Sequence, residues 1–138
     1  MKRSLVLSFL LYFFTLAVSG QEMQSGLYAS TTVLELANGE KKSKQIEDCI
    51  TPKDIADGLT NIGIQSDPAC KVQNYSKSGG KISYRLACKD GRKKLDSDVA
   101  GSFTKDSYNF AIKPSASGTS FKSITVKGWH TGPCEPGK

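Results

Sequence analysis

The chain has 138 residues, 38% of them hydrophobic, with 19 basic side chains against 13 acidic ones and a net charge of +6. One histidine and four cysteines in the whole length leave few groups for a metal centre or a histidine-based catalytic set. Such a length allows one small domain behind a leader, with a core thin enough that disulfides commonly supplement it.

The chain opens on "MKRSLVLSFLLYFFTLAVSG". Lys2 and Arg3 precede an apolar run from Leu5 to Val18, and Val18 and Gly20 suit the positions before a cleaved bond, as in a secretory signal peptide. A retained membrane anchor is the alternative, but the run is short against the ~20 residues of a bilayer span. The expectation is a signal peptide over residues 1–20, cleaved between Gly20 and Gln21, with cleavage after Ser19 a near rival. Residues 21–138 then form a single disulfide-stapled, β-rich domain, periplasmic or secreted, with no transmembrane segment after signal removal. Loss of Lys2 and Arg3 leaves 17 basic residues against 13 acids, a net +4. The basic runs "KKSK" (41–44) and "GRKK" (91–94) read as solvated faces rather than a nucleic-acid patch, so no nucleic-acid partner is expected. A weak attraction to acidic envelope surfaces remains within their reach.

Beyond the leader, "GLYASTTVLEL" is a strand that turns at Asn38-Gly39, the strongest short hairpin signal. A two-residue turn there puts Leu27, Val33, Ile46 and Ile50 on one side together with Lys42, Lys44 and Asp48, a poorly sorted pair of faces. The returning strand ends in "QIEDCITPKD", where Cys49 meets a helix start. Thr51 is placed as N-cap and Pro52 as the first helical residue. Asp54 and Asp57 lie toward the positive end of the dipole, and Gly58 stops the helix after about two turns. In "CKVQNYSKSGGKISYRLAC" a three-residue turn at Ser78-Gly79-Gly80 sets Cys70 opposite Cys88, Val72 opposite Leu86 and Asn74 opposite Tyr84. Cys70, Val72, Ile82, Tyr84, Leu86 and Cys88 then share the apolar face, while Lys71, Gln73, Lys81, Ser83 and Arg85 take the other. After a turn at Asp90-Gly91, a hairpin about Lys105-Asp106 pairs Phe103 with Tyr108, Gly101 with Phe110 and Val99 with Ile112. Its aromatic ring lies across from a strand glycine. A turn over residues 114–118 leads to "SFKSITVKGW" and the tail "HTGPC". The fold read from these elements is mainly β: a curved antiparallel meander of six or seven strands, with an open barrel as its closed limit, and one short helix.

The cysteines are even in number and all lie in the exported part, which reads as disulfides. Cross-strand placement pairs Cys70 with Cys88 and leaves Cys49 for Cys134. Zinc would call for close ligand pairs, which these spacings lack. A thiol nucleophile would call for His130 as its base and for a free thiol. Neither a catalytic, a cofactor-binding nor a metal-binding set emerges, and no cofactor is expected. Candidate ligand contacts are Tyr84, Tyr108, Trp129 and His130, with Tyr75 a further aromatic. Aromatics in a β protein are more often packing. Asp96 and Asp98 read as the solvent side of a strand.

The order "GLY" (26–28), "CITPKD" (49–54), Cys70, a glycine-turn hairpin closing at Cys88 and the final "GPC" (132–134) resembles a bacterial exported family, domain of unknown function 3617. Tyr28 and Tyr84 stand where that family's pattern has Trp, an exchange of one aromatic for another. The resemblance implies periplasmic placement and a β-rich domain, and it implies no activity. The functional expectation is a non-catalytic binding or interaction module of the cell envelope, for a small molecule, an envelope component or a protein. The alternative is a periplasmic enzyme or enzyme inhibitor using the surface carboxylates Asp96, Asp98 and Glu47.

Overall fold

The computed structural model describes residues 22–60, 68–90, 93–115 and 120–136. The expected signal peptide with its Gly20–Gln21 bond, and the turns at Asp90-Gly91 and 114–118, fall wholly or partly outside these residues. Among the described residues there are seven strands: β1 (Gly26–Leu36), β2 (Lys41–Ile50), β3 (Cys70–Ser78), β4 (Lys81–Asp90), β5 (Lys93–Phe103), β6 (Ser107–Pro114) and β7 (Phe121–Gly132), with helix α1 (Pro52–Ala56) between β2 and β3. They form one unclosed antiparallel sheet in the order β2-β1-β7-β6-β5-β4-β3. It is a five-strand meander, β3 to β7, whose last strand returns to pair with β1 of the first hairpin. The two edges are therefore β2 and β3, and the chain crosses from one to the other through α1.

Alternation along the strands sorts the faces. Tyr28, Ile82, Tyr84, Leu86, Val99, Phe103, Tyr108, Phe110, Ile112 and Val126 are buried on the inner face, joined by Ile50 at the end of β2 and by Met23 and Leu59 from the flanking segments. Burying each such side chain stabilises the fold by roughly 1.5–3 kcal/mol before entropy is counted. The inner face reaches close packing partly by omitting side chains. A Cβ on Gly101 would lie 2.3 Å from the Phe110 ring, and one on Gly128 would lie 2.3 Å from the Tyr108 ring. Each ring fills the space that a side chain on its cross-strand glycine would take.

The expected hairpins meet different fates. Phe103–Tyr108, Gly101–Phe110 and Val99–Ile112 pair as read from the sequence. In the β3–β4 hairpin, Cys70–Cys88 and Val72–Leu86 also pair as expected, but the register then shifts between Gln73 and Ser76. Asn74, at φ 55°, forms a bulge there, so the turn shortens to Gly79-Gly80 and Tyr84 faces two residues instead of one. The bulge lets Tyr75 stack on Tyr84 with ring centroids 6.1 Å apart. Edge strand β3 is otherwise solvent-facing, and Val72 is exposed rather than part of an apolar interior.

The first hairpin corrects the expected faces. Leu27 pairs with Cys49 and Val33 with Ser43, so the loop holds three residues, Ala37 to Gly39. Gly39 takes φ 88° at its end, where a glycine completes this kind of turn. A one-residue change of register flips a strand. Leu27 and Val33 therefore lie on the outer face, opposite to Ile46 and Ile50.

Helix α1 carries the expected start. The Thr51 hydroxyl accepts from the Asp54 N–H at 3.2 Å, and the Asp54 carboxylate accepts from the Thr51 N–H at 2.8 Å, closing a capping box. It is shorter than expected, five residues, because Gly58 (φ 81°) and Leu59 (φ 61°) turn left-handed at once. The Gly58 N–H donates to the Ile55 carbonyl and the Leu59 N–H to the Asp54 carbonyl, which satisfies the helix end and delivers Leu59 into the core. Tyr75 on β3 donates its hydroxyl to the Gly58 carbonyl at 3.2 Å, tying the crossover to the far edge.

Candidate functional site

Both disulfides match the sequence reading. Cys70–Cys88 joins cross-strand neighbours with Cα atoms 3.9 Å apart, and Cys49–Cys134 ties the end of β2 to the tail beyond β7 at 5.5 Å. No cysteine is free, so Cys49 is a staple and offers no thiol for catalysis or metal binding. Such bonds persist in oxidising compartments. Among the described residues no helix is long and apolar enough to cross a membrane. Nor do His, Cys, Asp and Glu gather there in a group of three fit for a metal.

The structure separates the four candidate contacts into two sets. Trp129 and His130 are neighbours on β7 and therefore face opposite ways. His130 pairs with Tyr28 across β1 and presents its ring edge-on to it, centroids 5.4 Å apart, on the inner side. Trp129 is on the outer face and is 49% exposed. Tyr84 and Tyr108 are buried inside. Trp129 and His130, adjacent in sequence, therefore lie on opposite faces of the sheet.

The interior is rich in phenols. Tyr28 donates its hydroxyl to the Gln24 carbonyl at 2.7 Å, and the Gln24 N–H donates to the Lys105 carbonyl at 2.9 Å, which holds the segment before β1 against the β5–β6 turn. Burial, with the Asp106 carboxylate nearby as a second cause, pushes the Tyr28 phenol up to about 12. The hydroxyls of Tyr84 and Tyr108 are buried with no hydrogen-bond partner among the described residues. Burial raises both above the ordinary phenol range. Asp48 adds to the rise at Tyr108. The Ser30 hydroxyl pulls the other way, yet it completes no bond to Tyr108, and its own bond goes to the Ile46 carbonyl at 3.4 Å. These phenols stay protonated at neutral pH. They can donate to a water or a polar ligand, but they offer no phenolate nucleophile.

The outer face holds a hollow that combines an exposed aromatic with a carboxylate. Glu47, Ala29, Trp129 and Ser107 form a single cross-strand row over β2, β1, β7 and β6. With strands about 4.8 Å apart, Glu47 and Trp129 stand about 10 Å from each other with only the Ala29 methyl between them. The resulting hollow of about 180 Å³ is lined by Ala29, Ser30, Gln45, Ile46, Glu47 and Trp129. Glu47 entered the sequence reading only as a catalytic acid, and Gln45 and Ala29 were missed. Their meeting with Trp129 depends on the three-residue hairpin loop and on β1 pairing with β7, and neither is a local signal.

The carboxylates of the enzyme reading do not converge. Asp96 and Asp98 are exposed on β5, and Asp98 faces Arg85 at 3.5 Å. Glu47 on β2 is four strand positions away in the sheet order, about 19 Å along the sheet.

An unclosed seven-stranded sheet tied at its β2 end to the C-terminal tail, with a phenol-lined interior and a lone outward tryptophan, defines the class of protein. The chain belongs to the family described as "Protein of unknown function (DUF3617)", whose model matches residues 23–134. No curated protein and no solved structure matches it.

Proposed function

We propose that this chain is a non-catalytic binding or interaction module of the cell envelope, periplasmic or secreted, taking a small molecule, an envelope component or a partner protein. The observation that carries this reading is Trp129. It is the only tryptophan in the sequence, it is half exposed, and it is fixed on a strand bonded on both sides beside a hollow. Large aromatics held out in water on a rigid element are enriched where proteins bind. The two disulfides and the leader-like first twenty residues support placement outside the cytoplasm.

The rival is a periplasmic enzyme or enzyme inhibitor working through Asp96, Asp98 and Glu47. Against it stand the exposure of those acids and the Arg85 partner of Asp98, which leave none of the three in a water-excluding cleft of the kind that tunes acid–base catalysts. The test is turnover. Purified oxidised protein incubated with cell-wall polymers and simple esters is expected to release nothing above buffer. Turnover abolished by Asp96→Asn, Asp98→Asn or Glu47→Gln would establish the rival.

A further inference from the structure

The hollow beside Trp129 carries more than a place. Its side chains are chemically mixed. Trp129 supplies an apolar ring face, Glu47 an acceptor, and Gln45 both a donor and an acceptor. In the adjoining row, Gln45, Thr31 and Lys127 face one another across β2, β1 and β7. Two residues along β7 from Trp129, Lys127 therefore shares its outer face and adds a donor. None of the side chains of Gln45, Glu47, Lys127 and Trp129 is engaged by a hydrogen bond, ion pair or ring contact with another described residue. They are polar groups held on strands and left to solvent.

We infer that this hollow binds a sugar ring of a neutral or near-neutral glycan, stacked on Trp129 with its hydroxyls bonded to Glu47 and Gln45. This inference rests on the binding reading above. A pyranose with equatorial substituents has a flat face of C–H bonds and a rim of hydroxyls, and each finds its counterpart here. The apolar face lies on the indole, and the rim meets an acceptor, an amide and an ammonium. The hollow measures about 180 Å³. It is open, and the polar row runs on from Lys127 to Asn109 on β6 and Ser102 on β5, so a second ring would lie over hydroxyl and amide groups. An organic cation is the competing occupant, since Glu47 beside an indole also suits an ammonium. Charge argues against it: Lys127 in the adjoining row opposes Glu47, and the whole chain is net positive.

Trp129 is the sole tryptophan, so its emission reports on this hollow alone. The oxidised mature protein is titrated with the β-1,4-linked trimer of N-acetylglucosamine and, separately, with tetramethylammonium. The expected result is a saturable emission change with the trimer. Glu47→Ala should weaken it by about tenfold, the effect of losing one hydrogen bond to a charged group, with the far-ultraviolet spectrum and melting temperature unchanged. Calorimetry of Trp129→Ala should show no binding heat. A response to tetramethylammonium and none to the trimer would overturn the glycan assignment while leaving the binding reading standing. No response to either ligand at tens of millimolar would overturn the hollow as a site. The binding reading would then be judged by native mass spectrometry of protein isolated from its own host.

Discussion

Tyr28, Tyr75, Tyr84 and Tyr108 are the four tyrosines beyond the first twenty residues, and burial is the first cause of a raised phenol at all four. A phenol whose folded-state value exceeds its unfolded value of about 10 contributes stability that is fully present below pH 10 and is lost as pH rises through the folded value. For Tyr28 that window runs from pH 10 to about 12. The melting temperature should therefore stay level from pH 7 to 9 and fall above pH 10. Phenolate absorbance should appear together with unfolding. Absorbance from all four tyrosines midway at pH 10, in folded protein, would contradict the burial. A second expectation concerns the ring-covered glycines. Gly128→Ala and Gly101→Ala force a methyl to 2.3 Å from Tyr108 and Phe110, and each should cost about 1–3 kcal/mol in denaturant titration. Gly39→Ala meets no atom within 4 Å and should cost only the strain of its positive φ, about 1 kcal/mol. The Gly101–Phe110 contact was legible in the sequence because both residues belong to one hairpin. The Gly128–Tyr108 contact was not, because the register of β7 on β6 is set across a longer connection with no tight-turn dipeptide.

At the scale of elements, legibility follows sequence distance. The helix start at Thr51-Pro52 and the β5–β6 register rest on residues within a few positions of each other, and both stand as read. The β3–β4 hairpin was legible from its cysteines up to Gln73. It failed at Asn74 because a bulge and a shorter turn compensate each other without changing any flanking pattern. The β1–β2 hairpin failed by one residue. Asn38-Gly39 fits either a two-residue turn or the end of a three-residue loop, and the polar β2 sequence could not arbitrate. Its lysines at 42 and 44 share the face of Ile46 and Ile50, where an apolar pattern was looked for. The capping box gives a direct test. Thr51→Ala or Asp54→Ala should lower stability by about 1 kcal/mol, with the double change costing little more than either single one because the two side chains act on each other. Independent, fully additive costs would mean that the reciprocal bonds are not made.

At the scale of the molecule, the open sheet is held in three ways: by the inner core, by the Tyr75–Gly58 bond at the β3 edge, and by the Cys49–Cys134 bridge at the β2 end. In the chain-entropy account the Cys49–Cys134 loop of 85 residues is worth about 4.5 kcal/mol and the Cys70–Cys88 loop of 18 about 3 kcal/mol. Replacing Cys49 and Cys134 by serine should therefore destabilise more than replacing Cys70 and Cys88. The reverse order in calorimetry would place the principal staple in the hairpin. The fold class and the disulfides were legible because four cysteines and closely spaced turns are local facts. The outer-face hollow was hidden because Glu47, Ala29 and Trp129 meet only after β1 has paired on both sides. Native mass spectrometry of the oxidised protein, isolated gently from its own host, decides whether the sheet carries a ligand or partner as proposed. A reproducible added mass, lost or reduced in Trp129→Ala, is the expected result. The bare polypeptide mass in both proteins, under every gentle condition of isolation, would rule out the proposed binding role.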